Sequence, residues 1–289
     1  MTFINPKTDF AFKKIFGSEE NKDILISLLN GLLYAGNPTI EDLEILNPYQ
    51  APRVRGVKET YLDVKARITG DKTVIIEMQV LNLQGFEKRI LYNAAKAYSI
   101  QLGAGEDYTL LNPVIALTIT DFEMFPELEG IISRFILKEK DYLIDYCIYD
   151  LELVFVELPK FNRELEQLQA LTEKWLYFLK NARSLRSIPA PMAAVPEIQK
   201  AFEVANQANL SPEELEDLEH REIYIHDQRN AIKKAENQAL QRGLQRGRRE
   251  SQLEIARKLL GILDEEAIAR ATGLTVEEVR QLTRDRAAQ

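Results

Sequence analysis

Residues 60–80, TYLDVKARITGDKTVIIEMQV, hold two alternating stretches separated by a turn. In the first, Leu62, Val64, Ala66 and Ile68 are apolar while Tyr61, Asp63, Lys65 and Arg67 are not. In the second, Val74, Ile76, Met78 and Val80 form one face and Ile75, Glu77 and Gln79 the other. Period-two patterning on either side of Thr69-Gly70-Asp71 predicts a β-hairpin. For both apolar faces to enter one core, even-numbered residues must lie opposite even-numbered ones, because a one-residue slip would turn a whole strand over. That parity puts Asp63, Glu77 and Gln79 on a single face. Two carboxylates on neighbouring strands, about 5 Å apart between backbones, can share a hard divalent cation. The same three residues also fit the solvated side of a one-sided sheet.

The flanking segments decide between these readings. Helices are expected over residues 9–33, with a break near Gly17-Ser18, and over 85–102 (GFEKRILYNAAKAYSIQL). In the second, Phe86, Ile90, Ala94, Ala97 and Tyr98 share the buried side, leaving Arg89, Tyr92, Lys96 and Gln101 to the others. Residues 112–120 (NPVIALTIT) are apolar on both faces, as a central parallel strand should be. Segments 131–138, 142–149 and 151–158 are expected to extend the sheet. With both faces covered, an Asp, a Glu and a Gln on the hairpin would be expensive to bury without a compensating partner.

The 289 residues carry a net charge of −8, one cysteine (Cys147) and two histidines (His220, His226). A single thiol excludes an internal disulfide and any multi-cysteine metal site. The histidines, six residues apart, lack the spacing that aims both rings at one metal. Arg229 to Lys258 has a local balance of +6, so the remainder carries −14, a segregation suited to phosphate contacts or to a solvated helix face. The first residues carry no basic-then-apolar leader pattern and no apolar run reaches membrane-spanning length, so a cytoplasmic location is expected.

The blocks NPKTDFAFKKIFG (5–17), LDVKA (62–66), IIEMQV (75–80), EKRILYNAAKAYSIQL (87–102), NPVIALTITDFEMF (112–125) and VELPKF (156–161) resemble, in order, the PD-(D/E)XK nuclease family transposases, also called Rpn or recombination-promoting nucleases. The resemblance implies an α/β fold: a restriction-endonuclease-like core, with a mixed central sheet flanked by helices, and an α-helical C-terminal extension. It implies metal-dependent cleavage of DNA, with Mg or Mn, in recombination or transposition. Carried over residue by residue, Asp63 and Glu77 match the metal-binding acids, and Gln79 stands where the wider superfamily usually has Lys.

Gln carries no charge and is a poor base, so it can orient a water or a phosphate but cannot neutralise developing negative charge. Lys65, on the face of Asp63, is expected to supply that charge. Asp9 and Lys13 match the opening motif and Gln101 a polar family position, which makes them auxiliary candidates; Asp9 equally suits a helix N-terminus. Arg89, Lys96, Arg242, Arg246, Arg248 and Arg249 are the expected DNA-phosphate contacts.

The expected division is a nuclease core over 1–161, a helix and linker over 162–192, a long charged helical region over 193–260, and a small unit resembling a helix-turn-helix over 261–289. Glu277 and Glu278 would face phosphates badly, so packing or oligomerisation suits that last unit better. DNA is the expected partner, and a homodimer would bring the two sites that cutting both strands requires. The alternative is a catalytically inactive DNA-binding or protein-interaction module that keeps the nuclease fold.

Overall fold

In a computed structural model that describes residues 1–50 and 60–287, Thr8 caps α1 (Asp9–Phe16) by accepting the Ala11 N–H, and α2 (Lys22–Leu33) follows a single 3-10 turn. Strands β1 (Leu43–Leu46), β2 (Tyr49–Gln50), β3 (Thr60–Tyr61), β4 (Val64–Ile68) and β5 (Lys72–Gln79) lead to α3 (Phe86–Ser99). After it come β6 (Val114–Thr120), β7 (Ile132–Phe135) and β8 (Leu151–Glu157). The chain continues through α4 (Leu171–Asn181), α5 (Ala190–Ala193), α6 (Pro196–Val204), α7 (Pro212–Leu259), α8 (Glu265–Thr272) and α9 (Val276–Ala287). Residues Met1–Ile225 and His226–Gln289 form two compact units.

The first unit is built on a mixed six-stranded sheet in the order β1-β4-β5-β6-β8-β7, with β5, β6 and β8 parallel and the outer pairs antiparallel. The hairpin takes the register that parity requires: Val64 lies opposite Ile76, Ala66 opposite Val74, and Ile68 opposite Lys72. Its turn places Gly70 and Asp71 at φ 79° and 57°, where glycine costs least. All seven residues of β6 are buried, as a strand paired on both sides and covered on both faces should be.

One face of the sheet (Val64, Ala66, Val74, Ile76, Met78) meets α1, α2, α4 and α6 in a single core, while Ile75, Val114 and Ala116 on the other face meet Ala94 and Ala97 of α3. Residues 162–225, expected outside the nuclease core, contribute buried Trp175, Phe178, Ile198 and Phe202 to it. Little apolar periodicity is legible in the sequence beyond residue 197, and the buried positions here are few and lie on short helices.

Two expectations about strands are corrected. Leu62, assigned to the face of Val64, packs with Ile75 and Ala94 on the opposite side. The chain bends between β3 and β4, and the Met78 N–H is taken at 2.8 Å by the Asp63 carboxylate rather than by a ladder carbonyl. Residues 142–149 do not join the sheet. With 137–139 they make a hairpin arm, held by Glu139 N–H to Ile144 O (2.8 Å) and Tyr146 N–H to Leu137 O (2.9 Å), whose apolar side chains stay exposed.

In the second unit, Ala256, Leu260, Ile268, Ala269, Leu274 and Val279 form a small core around the Gly273 turn (φ 74°). Glu278 caps α9 reciprocally with Thr275 and pairs with Arg249, which pulls its carboxyl down to about 2. Among the described residues no helix is long and apolar enough to cross a membrane.

Candidate active site

At the bend before β4, Asp63 keeps only 16% of its side chain exposed. Its Oδ2 accepts the Met78 N–H and its Oδ1 lies 3.5 Å from Lys13 Nζ. Burial pushes its pKa up, against the lowering pull of the Met78 amide and Lys13; nearby Asp9 pushes the same way as burial. Asp63 comes one residue past the last ladder pair, Val64–Ile76, and lies close enough to Glu77 to act on its charge.

Glu77 is 12% exposed on β5. Its Oε1 accepts from Asn93 Nδ2 at 2.5 Å, and its Oε2 lies 3.5 Å from Arg89. Burial raises its pKa as well; Asn93 and Arg89 lower it, and Asp63 raises it further. Gln79, two residues on, accepts from Arg89 at 2.6 Å through Oε1 and donates to the Leu81 carbonyl at 2.8 Å through Nε2. Arg89 thus spans Glu77 and Gln79, with its guanidinium 5.0 Å from the centroid of the Phe86 ring.

Two elements supply the surrounding groups. Helix α1 presents Asp9 and Lys13 four residues apart, one turn along the same side. Asp9 pairs with Arg221 of α7, within the first unit. Helix α3 presents Arg89, Asn93 and Lys96, and the spacing i, i+4, i+7 makes a polar stripe beside the apolar stripe of Ile90, Ala94 and Ala97. Asn93 was missed in the sequence reading, and that spacing is the signal that could have found it.

Other expected residues lie elsewhere. Lys65 is half-buried opposite Ile75, with a pKa lowered by burial and then by Arg67, and it pairs with neither carboxylate among the described residues. Lys96 is 8% exposed and donates to the Gln50 carbonyl at 2.7 Å, so the phosphate contact expected of it has no exposed ammonium to make it. Gln101 spends its amide on the loop after α3, bonding Asn112 N–H and C=O at 2.8 and 2.9 Å. It lies past the end of α3, eight residues beyond Asn93. Arg242, Arg246 and Arg248 are exposed on α7, whereas Arg249 is held by Glu278. His220 and His226 stay exposed, facing Glu216 and Asp227.

A family model described as PD-(D/E)XK nuclease family transposase matches residues 6–235. The chain belongs to this family. No curated protein and no solved structure matched the chain. PD-(D/E)XK nucleases typically use divalent metal ions, and their substrate is DNA. The acids of this nuclease-family chain suit such an ion. Asp63 and Glu77 are two desolvated oxygen donors, the first disfavouring the charge of the second, and the buried Asn93 Oδ1 beside them has no hydrogen-bond partner among the described residues. Among the described residues no three His, Cys, Asp or Glu side chains converge on one point. A two-carboxylate site fits a cation that keeps most of its waters, as magnesium does.

The raised proton affinities predict how stability responds to pH without metal. A carboxyl whose folded pKa exceeds its unfolded value favours folding below the unfolded pKa, and that contribution is lost as pH rises through the folded value. Asp63→Asn, neutral at every pH, should therefore raise the melting midpoint in EDTA at pH 7.5, and the advantage should shrink at pH 4.5. An equal difference at both pH values would contradict the burial described for Asp63.

Proposed function

We propose that this chain is a metal-dependent DNA endonuclease that hydrolyses phosphodiester bonds in recombination or transposition, with Mg2+ (or Mn2+) held by Asp63 and Glu77. The observation that carries the reading is the approach of two largely buried carboxylates at the end of one hairpin, flanked by Lys13 and Arg89. Once bound, the cation supplies an acidified water and positive charge for the phosphate.

The chain's own residues then take distinct tasks. Asn93 fixes the Glu77 carboxylate through one oxygen and leaves the other toward Arg89. Arg89, whose side chain is 42% exposed, can meet a phosphate oxygen while still orienting the Gln79 amide. The ExQ motif lacks a cation at its third position. Lys13, 3.5 Å from Asp63, stands closer to that need than Lys65 does. Arg242, Arg246 and Arg248 suit sequence-independent phosphate contacts.

Incubating supercoiled plasmid with the full chain and Mg2+ tests this reading. Nicked or linear product that disappears with EDTA is expected; a gel shift with no cutting would instead indicate a binding module that retains the fold. In the same assay Lys13→Ala should lose about 10- to 100-fold of the rate, while Lys65→Ala should stay near the parent. The reverse order would assign the cation to Lys65.

A further inference from the structure

The arm between β7 and β8 exposes more apolar surface than a lone chain of this kind needs. Tyr142, Leu143, Ile144, Tyr146 and Tyr149 are all more than half exposed, and Ile148 is 49% exposed. Taking about 150–250 Å² for each tyrosine, the three tyrosines alone expose about 400 Å², to which Leu143, Ile144 and Ile148 add. The largest apolar patch on a typical monomer is about 300–600 Å², whereas a stable interface buries about 800 Å² from each partner. Both faces of the arm are open, because consecutive residues 142–144 are all exposed.

We propose that this arm is the dimerisation surface and that its occupant is the same arm of a second copy. Three features select a copy of the chain over another partner. The segment is nearly palindromic about Tyr146: in an antiparallel two-fold pairing Ile144 faces Ile148, Leu143 faces Tyr149, and Tyr146 faces itself. Charge does not oppose that pairing, since Asp145 is already neutralised by Lys138 at 2.7 Å within its own arm and would face Cys147. Finally, the arm continues directly from β7, the terminal strand of the sheet, which among the described residues is paired on one side only. An unprotected edge of this kind invites pairing with a second chain. The proposal does not depend on nuclease activity, since none of these residues belongs to the carboxylate site.

Sedimentation equilibrium of the full chain at about 20 μM tests it, with a mass near 66 kDa expected, twice the 33.2 kDa of one chain. Ile144→Lys with Ile148→Lys should halve that mass and leave the circular-dichroism spectrum unchanged, because both side chains are exposed in the single chain. Should that variant fold poorly, the parent chain still answers. Cys147 is its only cysteine and is exposed, so a short bismaleimide should give a covalent dimer. A monomeric parent, a dimer that survives the double substitution, a parent that yields no covalent dimer, or a monomer that co-sediments with lipid vesicles would each overturn the proposal.

Discussion

Replacing Glu77 by Ala should cost the plasmid-cleaving rate about 10³-fold while the chain stays folded. The carboxylate sits at the end of β5, where its loss removes one of the two proposed cation ligands without opening the core beneath Ile76 and Met78. Removing a desolvated charge also relieves a cost, so the melting midpoint in EDTA should not fall. Asn93→Ala should behave differently. It leaves both carboxylates but frees Glu77 from its 2.5 Å hydrogen bond, so its loss of rate should be smaller, about 10- to 100-fold. Its Glu77 pKa should rise, because a lowering influence has gone. Parent-level cleavage by Glu77→Ala would remove Glu77 from the chemistry.

Trp175→Ala should be the most damaging single change to stability, at about 3–5 kcal/mol, out of a total that is about 5–15 kcal/mol for a protein of this kind. The indole is fully buried between Phe16 and Phe178, at centroid distances of 5.8 and 5.6 Å, and donates to Ser27 Oγ at 3.1 Å. It also explains Gly31 on α2, where an added Cβ would come 3.0 Å from the indole ring. Urea unfolding measures the loss. A change below about 1 kcal/mol would mean that α4 is an appendage. The same packing predicts that a chain cut after residue 161 unfolds without a cooperative transition, since α1 and α2 would lose the apolar cover that α4 and α6 give them.

How far the sequence could be read depended on the kind of signal. Even-on-even pairing of the hairpin and the double burial of β6 follow from patterns whose alternatives bury charge or expose whole apolar faces, so they were legible. The bend that moves Leu62 across the sheet is a one-residue event, set by the Asp63 side chain taking a main-chain N–H, and period counting does not register it. Residues 142–149 carry a strand-like run because β-rich composition also suits an arm that pairs with something other than its own sheet. Lys96 shows the same limit on a helix. Its position among polar residues suggested solvent, yet the Gln50 carbonyl of β2, a strand too short to predict, draws its ammonium inward. Asn93 carried a readable signal in its spacing from Arg89 and Lys96.

Binding of Mn2+ to the full chain in the presence of a cleavage-resistant phosphorothioate duplex, followed by loss of the free-ion paramagnetic resonance signal, tests the carboxylate centre without relying on turnover. The parent should withdraw Mn2+ from solution, and the chain carrying both Asp63→Ala and Glu77→Ala should leave the signal at its protein-free level. Equal uptake by the parent and the double variant, or none by either, would contradict a metal site on this hairpin.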